Sequence, residues 1–154
     1  MRLLPALIGL LMPACASEGD SGLPVPPPMQ LAGLQRPASP NTALAAPAGF
    51  LPTPDIVTRT YAVPPDRLYA AIRGVAEAQP RTFLAATYND RRQVHYVVRS
   101  AVFNFPDLVT AEVDANSTLI LWSRSVYGAS DLGVNAKRLT AWLAALDAAL
   151  LTSH

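Results

Sequence analysis

Two short stretches concentrate the side chains of this chain that are able to do chemistry. One reads Arg99-Ser-Ala-Val-Phe-Asn-Phe-Pro-Asp107; the other reads Trp122-Ser-Arg-Ser-Val-Tyr-Gly-Ala-Ser-Asp-Leu-Gly-Val-Asn-Ala-Lys-Arg138. Arginine forks match the oxygens of carboxylates and phosphates, so Arg99 and Arg124, with Asp107, Asp131 and Asn135, are candidate ligand-binding residues for an anionic or polar ligand. The same residues also suit architecture. An arginine inside an apolar strand needs a carboxylate, because an unpaired buried charge is expensive. Asp107 and Asp131 are the natural partners, forming a buried ion-pair and cap network at a strand-helix corner. Gly128 and Gly133 bracket that corner, where φ > 0 or close packing is expected.

Catalysis has weaker support, and no residue is assigned a catalytic role. Ser130 stands in G-A-S-D-L-G, which is not the G-x-S-x-G nucleophile elbow. The histidines are His95, inside a strand-like run, and His154 at the end, so a Ser130/His95/Asp131 triad depends on the fold bringing distant residues together. A hydrolase or transferase using the Ser130/Asp131 region, or Asp107, is the competing functional class. No histidine pair at ligand spacing, phosphate loop or dinucleotide fingerprint occurs, so neither a metal nor a cofactor is expected.

The elements that must position these residues follow from pattern. Asp55–Tyr61 is rich in β-branched residues and reads as a strand. Pro64-Pro65-Asp66 opens a helix with Leu68, Ile72, Val75 and Ala76 on one face, and Pro80 stops it. Residues 82–88 and 93–103 read as a hairpin turning at Asn89-Asp90-Arg91, and 108–113 and 118–127 as a second pair. Asn135 is placed to cap a last helix that carries Leu139, Trp142, Leu143, Leu146 and Leu150. The order β-α-β-β-β-β-α predicts an α+β domain over 55–154: an antiparallel sheet of about five strands with helices packed on one face.

The amino terminus reads as an export signal. Arg2 precedes the apolar run Leu3–Met12, which is too short to span a bilayer. Met12-Pro-Ala-Cys15 resembles a lipobox, which makes Cys15 the candidate lipidation site; Ala14-Cys-Ala16 also fits ordinary signal cleavage. Cys15 is the sole cysteine, and lipidation explains an unpaired thiol in an exported chain. The expected location is the cell envelope, anchored in a membrane and facing the periplasm, with the outer membrane slightly favoured by Ala16. The alternative is a soluble periplasmic or secreted protein. Residues 16–54 hold nine of the fifteen prolines and read as a disordered, extended tether between the signal segment 1–15 and the domain. The formal charge is +1 and no basic stripe stands out, which argues against nucleic acid.

The two stretches also resemble the paired signatures of a bacterial family, domain of unknown function 1499. The first is Arg99–Asp107 with its F-P-D; the second is Ser123–Asn135, continuing to Arg138. The chain departs from the family pattern at Leu108, where a second acid is common. The resemblance implies an α+β fold and a bacterial envelope setting, and it assigns no reaction. The expected role is a non-catalytic envelope binding or structural module, meeting the membrane through Cys15 and taking a small polar or lipid-like ligand.

Overall fold

The computed structural model describes residues 21–152. The signal segment with Cys15, and His154, lie outside the described residues. The elements run β1 (Thr42–Pro47), β2 (Ile56–Thr58), α1 (Pro65–Glu77), β3 (Thr82–Tyr88), β4 (Gln93–Arg99), β5 (Pro106–Val113), β6 (Leu119–Ser125) and α2 (Val134–Leu151). They form an α+β fold with one sheet in the order β2-β1-β6-β5-β4-β3. All neighbours are antiparallel except the short parallel pair β1/β2. The sheet therefore has six strands where the sequence predicts about five.

The additional strand is β1, and it corrects the domain boundary expected at Asp55. Thr42-Ala-Leu-Ala-Ala-Pro47 is weak in β-branched residues and lies amid prolines, so local propensity reads it as tether. Tertiary pairing overrides that preference: β1 sits between β6 and β2, with four successive residues buried. Alanine is what such a site takes, because Ala43 and Ala45 lie under the helices and leave little room for larger groups.

Both helices cover one face of the sheet, as the pattern predicts. Pro65 occupies the first turn of α1 beside Asp66, and Leu68, Tyr69, Ile72, Val75 and Ala76 point inward. On α2 the inward stripe is Asn135, Leu139, Trp142, Leu146 and Leu150. Tyr96 on β4 meets Trp142 edge to face at 6.1 Å between ring centroids. These residues, with Val94, Val109, Ala111, Val113, Leu119 and Leu121, make the main core.

The opposite face is covered by the proline-rich segment itself. Leu31 is fully buried there against Leu44, Ala46, Ile120 and Trp122, with Met29, Leu34 and Phe50 around them. Polyproline-like chain leaves its backbone groups without internal partners, and here the sheet supplies them. Tyr88 Oη donates to the Pro26 carbonyl at 2.6 Å. Gln93 accepts from the Met29 amide at 2.7 Å and donates to the Met29 carbonyl at 2.8 Å. Arg36 forks onto Asp55 at 3.1 and 2.8 Å. Residues 21–41 are thus a docked strap.

Leu31→Ala tests the strap. Removing a fully buried leucine should cost about 2–5 kcal/mol, read as a lower urea midpoint; a free tether would leave the midpoint where it was.

Candidate functional site

The two motif stretches meet at one corner because Asp107 on β5 pairs in register with Ser125 on β6. Strand alternation then sorts their side chains. Asp107, Ser123 and Ser125 face the helices, while Arg124 and Leu108 face the strap. Arg99 follows the same rule, one residue beyond Val98, which packs against the main core. A strand-borne arginine and an aspartate on opposite faces cannot pair, so Asp107 takes neither Arg99 nor Arg124, and the loop residue Asp131 is taken by donors of Gly133 and Asn135 instead.

Arg138 on α2 takes Asp107 instead. Its Nη2 donates to Asp107 Oδ2 at 2.6 Å, with both side chains nine-tenths buried. Its Nη1 donates to Ser123 Oγ at 3.0 Å and to Asn135 Oδ1 at 2.8 Å. Ser123 Oγ donates in turn to Asn135 Oδ1. Asn135 is fully buried, and its amide group reaches the Asn41 carbonyl at 3.0 Å, Ser125 Oγ at 3.0 Å and Asp131 Oδ2 at 2.6 Å. The Asn41 side chain closes the corner by donating to the Gly128 carbonyl at 2.7 Å.

Asn135 is therefore not the helix cap. Gly133, at φ +80°, occupies that position, and Asp131 does the capping work. Its carboxylate accepts from the Gly133 and Asn135 amides, each at 2.9 Å. Burial pushes the Asp131 carboxyl up, but these hydrogen bonds and the one from the Asn135 side chain outweigh it and hold the group below its ordinary value. Gly128 adopts φ +88°, as the turn requires. Arg99 binds backbone, donating to the Ser21 carbonyl from Nε at 3.2 Å and to the Asn104 carbonyl from Nη1 at 2.9 Å. The Arg124 side chain has no hydrogen bond or ion pair among the described residues.

Above the buried network lies an open groove of about 390 Å3 between the 100–105 and 126–133 loops. Asp107, Asp131, Ser125 and Ser130 line its polar part; Phe103, Phe105, Tyr127, Leu132 and Val134 form its apolar rim. Phe103 stacks on Phe105 at 5.5 Å, and Phe105 meets Tyr127 at 6.4 Å. Leu132 is 87% exposed yet held at φ +53°, a left-handed conformation that costs a leucine about 1–3 kcal/mol. Of the five candidates, the corner brings together Asp107, Asp131 and Asn135; Arg99 and Arg124 lie outside the groove.

Acid-base machinery is not assembled there. Ser130 Oγ accepts from the Leu132 amide at 3.3 Å. His95 lies on the strap face, bonded to Gln93 at 3.0 Å and Thr110 at 2.9 Å. Burial, with a smaller push from Arg91, lowers its pKa to about 4, so the ring is neutral near pH 7. Ser130, His95 and Asp131 form no triad.

The model of the family described as Protein of unknown function (DUF1499) matches residues 34–146. The chain belongs to that family. No curated protein matches the chain. The DUF1499 match begins ahead of β1, in agreement with a folded unit that includes Thr42–Pro47. Both motif stretches end on the same groove: the first supplies Asp107 and the stacked phenylalanines, the second Tyr127 and Asp131, with Arg138 buried beneath them. Sequence reasoning missed Ser123, Arg138 and the aromatic rim. A signal for Arg138 was present, since it stands three residues after Asn135 and so shares its helix face.

Arg138→Ala should destabilise the domain by about 3–5 kcal/mol by stranding the buried Asp107 carboxylate, measured by urea denaturation. A loss under about 1 kcal/mol, the range of an exposed pair, would show that this pair does not hold the corner.

Proposed function

We propose that the domain is a non-catalytic binding module of the cell envelope, and that the groove between the two motif loops receives a lipid. One observation carries this reading: five apolar side chains, three of them aromatic, ring an open groove whose two carboxylates are already bonded within the protein. Exposed aromatic clusters of this kind mark interaction sites more often than folding needs, and the strained, exposed Leu132 has no packing role to repay its conformation. Asp107 is spent on Arg138, and Asp131 on three donors. Such groups orient a ligand's polar end through the loop without offering a free base or nucleophile.

The chain's own path favours a lipid over a soluble metabolite. In this reading Cys15 is acylated after export, and acyl chains bury at about 0.8 kcal/mol per methylene. The described domain begins at Ser21, whose carbonyl accepts from Arg99. The same guanidinium holds the Asn104 carbonyl in the loop that carries Phe103 and Phe105. Six residues of chain reach at most about 20 Å, so an anchor at Cys15 would keep Ser21 within that distance of a membrane surface, and Arg99 ties the loop of Phe103 and Phe105 to Ser21. Aromatic side chains with one apolar and one polar end, such as Tyr127, suit that boundary.

Two experiments test the reading. Dihexanoyl-phosphatidylglycerol, titrated into the Cys15→Ser chain below its micellar concentration, should shift the amide resonances of residues 100–105 and 126–134. In the Phe105→Ala/Tyr127→Ala variant the affinity should fall about tenfold or more at an almost unchanged Tm, since both rings are exposed. Undiminished affinity in that variant would refute the groove as the binding site. For the anchor, metabolic labelling with a radioactive fatty acid should be lost in Cys15→Ser; label that persists rules out lipidation at Cys15.

A further inference from the structure

A second pocket lies on the strap face, apart from the groove. It is an open cavity of about 520 Å3 between strap residues and β6, lined by Met29, Leu34, Gln35, Arg36, Pro37, Trp122 and Arg124. Its walls are mainly apolar and its two charges are both positive. Arg36 is committed: it forks onto Asp55 and its guanidinium stands 5.7 Å from the Trp122 ring centroid.

Arg124 is different. It is half-buried, and no carboxylate or carbonyl among the described residues receives it. Its register neighbours are Thr42 on β1 and Leu108 on β5, neither of them charged. Asp55 is held by Arg36 and the Leu44 amide. Glu112 is held by Gln93 and by Arg91. Another donor lacks a partner in the same wall. Trp122 is only 2% exposed, and its Nε1 is the one buried side-chain polar atom without a hydrogen bond among the described residues. A buried donor left unpaired has given up its water without a replacement hydrogen bond, and Arg124 adds a half-buried charge to the same wall.

Two donors without an acceptor, set in an apolar wall, define their complement. We propose that this pocket binds an oxyanion, a carboxylate or a phosphate monoester, carried on a short apolar chain. The Arg124 fork takes two of the oxygens in the bidentate geometry that guanidinium favours. The Trp122 N–H turns to the same acceptor, and the chain lies along Met29, Leu34 and Pro37. Because five of the seven lining residues come from the strap, the pocket exists only where residues 29–37 are docked. It is distinct from the lipid groove and does not depend on that reading.

The test is a titration of the full 15N-labelled chain with octanoate and with octyl phosphate, using acetate and inorganic phosphate as tail-less controls. The Trp122 indole N–H resonance, assigned with Trp122→Phe, should shift saturably with at least one octyl compound; which one responds distinguishes carboxylate from phosphate. Arg124→Gln should weaken that binding about tenfold or more while the amide spectrum stays dispersed, and Phe105→Ala/Tyr127→Ala should leave it intact. No shift with either octyl compound, an undiminished shift in Arg124→Gln, or equal binding of the tail-less ions would each overturn the proposal.

Discussion

The buried carboxamide of Asn135 is the joint on which the corner depends. Its oxygen accepts from Ser123 and Arg138, and the two hydrogens of its nitrogen are shared among the Asn41 carbonyl, Ser125 and Asp131. Through these bonds it ties the first turn of α2 to β6, to the chain entering β1 and to the loop that caps the helix. A side chain with no exposure has no water to fall back on, so each bond must be present for the burial to be tolerable. Arg138 extends the joint to β5 through Asp107, which leaves little freedom in where the two loops above it stand.

That rigidity gives the groove its character. The loop of residues 126–133 is held from below by Asp131 and from the side by Asn41, while the 100–105 loop is held by Arg99 and Ser100. Neither loop folds its large apolar side chains inward. Phe103, Phe105, Tyr127 and Leu132 remain outside on a scaffold that does not need them for its own core. Most polar residues of the motifs serve the frame, and the large apolar ones stay exposed.

The strap changes what the sheet is. Without residues 21–41, Leu44, Ile120 and Trp122 would face solvent on a sheet covered on one side only. With them, both faces are closed and the chain is a three-layer unit of helices, sheet and extended strap. Polar residues at Tyr88, Arg91 and Gln93 satisfy the strap backbone, which is the requirement any buried irregular segment must meet.

Much of this was legible in order of appearance. The helical stripes of α1 and α2, the 82–88 strand and the turn at Asn89–Arg91 follow from periodicity and turn chemistry, which are local. The two motifs also marked where the corner would be. β1 and the strap were not legible, because alanine and proline carry no strand signal and their burial is decided by partners as distant as Trp122 and Gln93. The pairing of Asp107 was hidden for the same reason. By itself the sequence determined the elements other than β1, the helical faces and the residues gathered at the corner, because those depend on neighbours a few positions away. Only the tertiary structure decided which acid met which arginine, since strand alternation placed Arg99 and Arg124 on the face opposite Asp107 and packing brought Arg138 from another element to take their place.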